Sequence, residues 1–298
     1  MLEKSATFNQ ILTNYAQGAH QNPDALDLSR LLFPAVQVEE AKGVYDKWGI
    51  AEHFTAVDTT LARHNTAHRI EISRTDGTYR CQPEAVEIAH WLPDMIQKSG
   101  PRYRENGLRA LMDTMATSRN LSAVDILKAA TPEQELKLGD DANVIEAIDS
   151  LFADVRRGTY GRQPSHLIMG RAAWNAIRNH KSVLDRAHGL AYAIFEDAFK
   201  SVLSHRDVQI VIVDNYAMRD EKLIELLGLD IVALYNEATP TETDLSAGKD
   251  FTLDAAGPEV HTYQEKGLYD VDMLLCSSDR QVTNTAAVSR LALNLSQD

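Results

Sequence analysis

The sequence changes from polar to apolar at Leu31–Val38, where the N-terminal segment ends. Pro34 fixes its own φ and biases Phe33 toward extended geometry, so a short strand is expected from Ala35 to Val38. The chain then runs from Gly49 to Gln82 with strand-like pieces but no compact hydrophobic unit. A segment that cannot bury itself must rest on another surface, and this requirement constrains the fold more than any other feature of the sequence.

The long segment carries the pattern of a β-hairpin. Residues Arg69–Arg74 alternate polar and apolar side chains, which is typical of a half-exposed strand. Asp76-Gly77 is a turn signal, and Thr78–Cys81 is the expected return strand. Because a two-stranded hairpin is marginal by itself in water, we expect neighbouring surfaces to order this arm.

A short amphipathic helix is expected within Ser5–Gln17. Its apolar residues recur at helical spacing, namely Phe8, Ile11, Leu12 and Tyr15. A helix of this length is not stable alone, so we expect the apolar stripe to dock on a partner surface.

Two longer helices follow the extended segment. The strongest pattern covers Arg102–Ala130, where an apolar stripe begins at Leu108 and resumes after a polar break near Ser118. Thr131-Pro132 is expected to end this helix. A second amphipathic helix is expected over Asn143–Arg157.

The remainder of the chain alternates strands with short helices. Buried strands are expected at His166–Gly170, Val208–Val213 and Leu229–Tyr235, with a helix opening at Ala172–Ile177. From about Phe251 the pattern changes to antiparallel strands, among them Asp270–Cys276. The fold class is therefore α+β.

The overall charge argues against a grip on nucleic acid. The 298 residues carry a formal net charge of -13, whereas phosphate binding needs concentrated lysine and arginine.

Cys81 and Cys276 are far apart and form no metal or redox spacing. No apolar stretch approaches the roughly 18 residues of a membrane span. We expect no cofactor and no membrane association.

Two side-chain groups could carry chemistry. His64 and His68 are four residues apart with Glu71 three further on, so a helix would place a metal site there. The strand alternation from Arg69 opposes a helix, which favours a solvated or intersubunit loop instead. Asp270 and Asp272 share one face of the expected strand, as a catalytic carboxylate pair would, but a polar strand face is the commoner use. No phosphate loop, dinucleotide fingerprint, nucleophile elbow or HExxH motif is present.

Several of these pieces occur in the order found in one known family. They are the Phe33-Pro34 step with its strand, the Tyr45–Trp48 lead into the extended segment, the helix after that segment, His166–Gly170 with Trp174, Leu184–Arg186, and the strands after Phe251. Each motif is common by itself, but their order and spacing resemble tailed-bacteriophage major capsid proteins of the Hong Kong 97-type fold. The resemblance spans nearly the whole chain.

The resemblance implies a division of the chain into named parts. These are an N-terminal arm (1–45), an extended loop (46–82), a peripheral domain with a long spine helix (83–142), an axial domain (143–250) and peripheral strands (251–298). In that family the arm and the loop reach across neighbouring subunits. Phe8, Ile11, Leu12, Tyr15, Arg63, Arg69, Arg74 and Arg80 are accordingly expected to make inter-subunit contacts.

The resemblance also implies a function. The chain would be a non-enzymatic major capsid protein that self-assembles as pentamers and hexamers into the icosahedral head of a tailed double-stranded DNA phage. It would enclose DNA without sequence-specific binding, with scaffolding, portal and decoration proteins as further partners. It would be made in the host bacterial cytoplasm and reside in the virion. An encapsulin-like cargo shell is the nearest alternative, and a soluble α/β metabolic enzyme built on the strands of 166–235 is a third.

The charges of the extended loop support a contact role. Its four arginines face only Glu71 and Asp76 within 61–80, a net charge of +2 in an acidic protein. We expect these arginines to pair with acidic surfaces on adjacent subunits. No lysine occurs between Gly49 and Gln82, so the Lys–Asn cross-links that some members of the family form from this loop are not expected.

Overall fold

The computed structural model describes residues 6–21, 27–48, 74–97, 100–139, 141–186, 196–253 and 258–295. The α-helices are α1 (Gln10–Gln21), α2 (Leu28–Leu32), α3 (Leu92–Gln97), α4 (Gly100–Ala130), α5 (Val144–Gly158), α6 (Arg171–Arg178), α7 (Lys181–Arg186) and α8 (Glu196–Val202). The strands are β1 (Thr7–Phe8), β2 (Ala35–Gln37), β3 (Lys42–Trp48), β4 (Arg74–Arg80), β5 (Gln82–Trp91), β6 (Glu133–Lys137), β7 (His166–Gly170), β8 (Gln209–Val213), β9 (Tyr216–Arg219), β10 (Lys222–Glu225), β11 (Asp230–Leu234), β12 (Gly248–Thr252), β13 (Glu259–Glu265), β14 (Tyr269–Val282) and β15 (Val288–Asn294).

The first sheet is organised around β14, its longest strand. One edge of β14 pairs with β5 over ten residues, and the other edge pairs first with β13 and then with β12. The short strands β1 and β2 complete six strands by pairing with β13 and β12. Asp272 and Leu274 lie on one face of β14, where Asp272 contacts Arg104 of α4 and Leu274 packs with Leu108 and Leu111.

The second sheet has five strands in the order β6-β15-β11-β7-β8. The strand β15 pairs with β6 in parallel and with β11 antiparallel, while β7 and β8 are parallel. In the expected division β6 lies in 83–142 and β15 in 251–298, and both pair in the sheet that also contains β7, β8 and β11. Isolated strand patterns carry no information about which sheet a strand joins.

The long helix α4 joins the two sheets. Its 31 residues span about 46 Å. Leu108 and Leu111 pack with α1 on the first sheet, whereas Val124 and Leu127 belong to the core beneath the second sheet. At its end, the Thr131 hydroxyl donates to the Leu127 carbonyl at 2.7 Å. The helix expected over 102–130 is confirmed. Among the described helices, none is long and apolar enough to cross a membrane.

The helix α5 follows the predicted stripe. Its N-cap is Asn143, whose side chain accepts a hydrogen bond from the Glu146 backbone N–H at 3.2 Å. Its buried residues are Val144, Ile145, Ile148, Leu151, Phe152, Val155 and Gly158. They pack on one face of the second sheet together with Trp174 and Phe199, whose rings meet edge to face at 5.4 Å. The expected strand–helix unit from His166 is confirmed.

The Phe33-Pro34 step ties the N-terminal segment to the first sheet. Phe33 is fully buried, and a Cβ on Gly248 would lie 2.5 Å from its ring, so only glycine fits beneath it. The Pro34 carbonyl accepts a hydrogen bond from the Asp250 N–H at 3.0 Å. The expected strand is confirmed as β2, parallel to β12. The helix α2, capped by Asp27, was not expected.

Two local predictions were wrong. Asp76-Gly77 is no turn: both residues lie inside β4, where Gly77 pairs with Tyr45 of β3. Cross-strand packing overrides the turn preference there. The N-terminal helix begins later than expected because Asn9 caps it, accepting from the Leu12 N–H at 3.1 Å, and Thr7–Phe8 is a strand on β13. Residues 69–73 of the expected first hairpin strand lie outside the described residues.

Candidate assembly surfaces

The base of the extended loop is a two-stranded ribbon, β3–β4, in which glycines and tyrosines alternate across the strands. Tyr45 lies opposite Gly77, and Tyr79 lies opposite Gly43. A Cβ on Gly77 would sit 2.4 Å from the Tyr45 ring, and one on Gly43 would sit 2.3 Å from the Tyr79 hydroxyl. Each ring therefore covers the glycine facing it, and no larger residue fits without moving the ring.

Both tyrosines pack on Phe251 of β12. The Tyr79 ring stacks on Phe251 with 4.7 Å between ring centres, and the Tyr45 ring lies at 5.1 Å. Burial, aided by the nearby Asp279 carboxylate, raises the pKa of Tyr45 to about 12. The Tyr45 hydroxyl therefore stays protonated at physiological pH, and the side chain is buried against Phe251 without a charge.

Polar contacts fix the same ribbon to β14. The Arg80 backbone N–H donates to Asp279 at 2.7 Å, and the Gln281 amide donates to the Thr78 carbonyl at 3.1 Å. These bonds join the ribbon to residues about 200 positions away along the chain. These contacts fix the position of β3 and β4 on the first sheet.

Lys249 is a buried cation beside the ribbon. Its ammonium donates to the carbonyls of Glu242 and Asp244 at 2.7 and 3.1 Å, and lies 6.0 Å from the Tyr45 ring centre. Burial lowers the pKa of Lys249, while the Asp244 carboxylate opposes that effect. The adjoining cavity of about 40 Å³ has room for a water molecule but not for a substrate. This lysine holds the 242–246 segment against the loop base.

The predicted N-terminal stripe divides between interior and surface. Leu12 is buried, and Tyr15 packs beside it against the cluster of Leu108 and Leu111. Phe8 is half exposed with its ring edge-on to His261, and Ile11 is 81% exposed. Leu12 and Tyr15 therefore make their contacts within the chain, and only Phe8 and Ile11 present apolar surface outward.

The loop arginines are only partly described. Arg63 and Arg69 lie outside the described residues, as do His64, His68 and Glu71 of the candidate metal site. Arg74 begins β4, and Arg80 ends it as an exposed residue. In the described part of the chain, no group of three or more histidine, cysteine or acidic residues could hold a metal ion.

The candidate carboxylate pair separates into two environments. Asp272 is fully buried: its carboxylate accepts from Arg104 Nε at 3.0 Å and lies 3.2 Å from His90 Nε2. Burial alone would raise the pKa of Asp272, but His90 and Arg104 hold it below its ordinary value. Asp270 instead lines an open polar groove. The triad joins the start of α4 to β5 and β14, which is a structural role.

A second buried ion cluster was missed by sequence reasoning. It joins α4 to three strands of the first sheet through Arg119, Glu84, Asp250 and Arg280. Arg119 Nε lies 3.1 Å from Glu84, its Nη2 lies 3.4 Å from Asp250, and Arg280 also contacts Glu84. Burial raises the pKa of Asp250 although Arg119 opposes it. Glu84 and Arg280 are 196 residues apart, so no linear motif could have revealed the cluster.

Comparison with known proteins identifies the fold. A phage-related protein from Bordetella bronchiseptica RB50 matches with a TM-score of 0.74 at 17% identity, over 97% of this chain and 98% of that one. The mature capsid of bacteriophage PhiM1 matches with a TM-score of 0.57 at 11% identity, over 89% and 86%. An encapsulin complex from Synechococcus elongatus PCC 7942 matches with a TM-score of 0.53 at 12% identity, over 94% and 96%. No protein-family model and no curated protein matches the sequence.

These likenesses span nearly the whole chain, including both sheets and α4. The chain has an α+β fold of the Hong Kong 97 type, and the resemblance expected from the order of its sequence motifs is confirmed at the level of the fold.

Proposed function

We propose that this chain is the major capsid protein of a tailed double-stranded DNA phage, a structural subunit without catalytic role that self-assembles into an icosahedral head. The observation that carries the proposal is the match of about nine tenths of the chain to a phage capsid and to an encapsulin complex. An acidic subunit with a net charge of -13 also suits a wall along which packaged DNA can slide.

The geometry of the loop base supports assembly by buried surface. The ribbon β3–β4 is held by Phe251 and β14, so its ends at Trp48 and Arg74 are fixed relative to the first sheet. A projecting arm on a fixed base can contact the same site on every neighbour. Many modest contacts of this kind multiply across a closed shell.

The arginines of the extended loop are proposed to pair with acidic surfaces on adjacent subunits. Exposed pairs contribute only about 0–1 kcal/mol each, so their effect depends on repetition through the shell. Changing Arg69 and Arg74 together to Glu should block shell formation and leave a folded capsomer or monomer. Changing both to Lys keeps the charge and is the matched control. Normal particles from the Glu double variant would refute the pairing.

Electron microscopy of the purified protein tests the proposal directly. Closed shells of uniform diameter are expected, and a monodisperse monomer at high concentration would overturn it. The match to the Synechococcus encapsulin complex is the observation that supports the encapsulin-like alternative. Shells carrying double-stranded DNA when isolated from lysed, infected cells support a phage head, whereas shells that co-purify with one stoichiometric protein cargo support the alternative.

A further inference from the structure

Residues 27–38, here named the strap, cross from the core of one sheet to the core of the other. Leu32 and Phe33 are buried beneath the second sheet, among residues of β7, β8, β11 and β15. Only three residues after Phe33, Val36 lies in a different core with residues of β3, β4 and β12. Pro34 lies between the two cores, and its ring fixes φ. The chain between the two cores is therefore short and stiff.

Two links between the sheets meet at one point, here named the junction. Residues 235–247 connect β11 of the second sheet to β12 of the first, and residues 283–287 connect β14 to β15. The Thr283 N–H donates to the Ala247 carbonyl at 3.1 Å, which joins the two links. Among the described strands, the remaining connection between the two sheets is α4, between β5 and β6. A few loop residues at one point are the usual construction of a hinge.

Asn236 connects the strap to the junction. Its side-chain Nδ2 donates to the Leu31 carbonyl at 2.9 Å, and its Oδ1 accepts from the Ala247 N–H at 3.2 Å. Asn236 is only 8% exposed, so water does not compete for these bonds, and losing either partner would leave a buried polar group unpaired. The position requires a donor and an acceptor in one short side chain, as an amide provides.

The strap is also bonded on either side of Leu31. The Ser29 N–H donates to the Asn120 side chain of α4 at 2.8 Å. The Pro34 carbonyl accepts from the Asp250 N–H of β12 at 3.0 Å. Because the strap is short and stiff, a rotation of one sheet relative to the other must break one of these bonds or displace the strap from a core.

We propose that the strap locks a hinge at the junction and that Asn236 is the residue that holds it closed. With the strap in place, the two sheets behave as one body. With the strap displaced, they can rotate about the links 235–247 and 283–287. The N-terminal segment thereby controls the relative orientation of the two sheets. The inference concerns the subunit alone and does not depend on the proposed function.

Amide hydrogen exchange measured on two variants tests the hinge. Asn236→Asp still accepts from the Ala247 N–H but, as a carboxylate near neutral pH, cannot donate to the Leu31 carbonyl, so it releases only the strap. Asn120→Ala releases the strap from α4 instead. In both variants, exchange at residues 28–33 and at the two links of the junction should become at least tenfold faster, while β7 and the pairing of β5 with β14 keep their native rates.

The matched control is Asn143→Ala, which also removes one bond from an asparagine side chain to a backbone N–H. It should accelerate exchange only in the first turn of α5. Faster exchange confined to residues 28–33 would show that the strap moves without a hinge, and faster exchange spread evenly over both sheets would show general destabilisation. Either result, or native rates at the junction in both strap variants, would overturn the proposal.

Discussion

At the scale of single residues, the loop base depends on two positions that have no side chain. Gly77→Ala should push the Tyr45 ring off Phe251, because the added Cβ would lie 2.4 Å from that ring. Overpacking of this kind costs about 1–3 kcal/mol. Chemical denaturation should show the loss, and Gly139→Ala, whose Cβ meets nothing within 4 Å, should show almost none. Equal stabilities for the two variants would contradict the packing argument.

The buried triad around Asp272 predicts a pH dependence. Because the pKa of Asp272 is lowered from 3.8, its ion pair stabilises the folded state fully above that value. The stabilisation is lost as the pH falls through the folded-state pKa. Asp272→Asn should therefore reduce the free energy of unfolding by about 3–5 kcal/mol near neutral pH, and the difference from the native chain should shrink as the pH falls below 3.8.

The matched control is Asp270→Asn, two residues along the same strand at the edge of an open groove. It should leave the unfolding free energy within about 0.5 kcal/mol of the native value. A deficit for Asp272→Asn that is the same at every pH would argue against the ion pair and for a packing defect.

At the scale of elements, the N-terminal helix has two separable faces. Leu12→Ala should destabilise the subunit by about 2–5 kcal/mol, because its side chain is part of the core with Leu108 and Leu111. Ile11→Ala should leave the melting temperature unchanged and reduce assembly, because Ile11 is exposed. Thermal unfolding and particle yield, measured on both variants, separate the faces. A stability loss for Ile11→Ala would contradict the division.

The placement of α2 refines the boundary of the arm. Leu28 is fully buried, and the Ser29 N–H donates to the Asn120 side chain of α4 at 2.8 Å. Residues 28 and 29 therefore belong to the folded subunit. Shortening the chain to Leu31 would remove Leu28 and disturb the core around α4, so Asp27, the α2 N-cap, is the better starting point for a truncated variant.

Long periodic elements were predictable from the sequence, whereas contacts between distant segments were not. The stripes of α4 and α5 are visible because each burial position lies three or four residues from the next. Asp76-Gly77 has the composition of a turn. In the structure Gly77 lies opposite Tyr45, 32 residues earlier, because only glycine leaves room for the Tyr45 ring, and this pairing places both residues in a strand. The bond between the strap and Asn236 was equally hidden, since Leu31 and Asn236 are 205 residues apart.

At the scale of the whole molecule, the proposed shell should be non-covalent. No lysine occurs between Gly49 and Gln82, Cys81 is buried against the Phe251 carbonyl, and Cys276 contacts Met115. Purified particles, reduced and boiled, should give one band near 33.2 kDa on a denaturing gel. A ladder of linked oligomers that survives reduction would show that another cross-linking chemistry operates.

The central positions of β14 and β15 have a consequence for how the chain is made. Among the described strands, β5, β12 and β13 are joined to one another only through β14, and β6 reaches the second sheet only through β15. A nascent chain still on the ribosome, with residues beyond 268 not yet synthesised, can complete neither sheet. The ribbon β3–β4 also lacks its contacts with Phe251 and Gln281 until those residues have been synthesised. Synthesis thus delays the completion of both main sheets until translation is nearly over, so that an unfinished chain would lack the surfaces on which the proposed assembly depends.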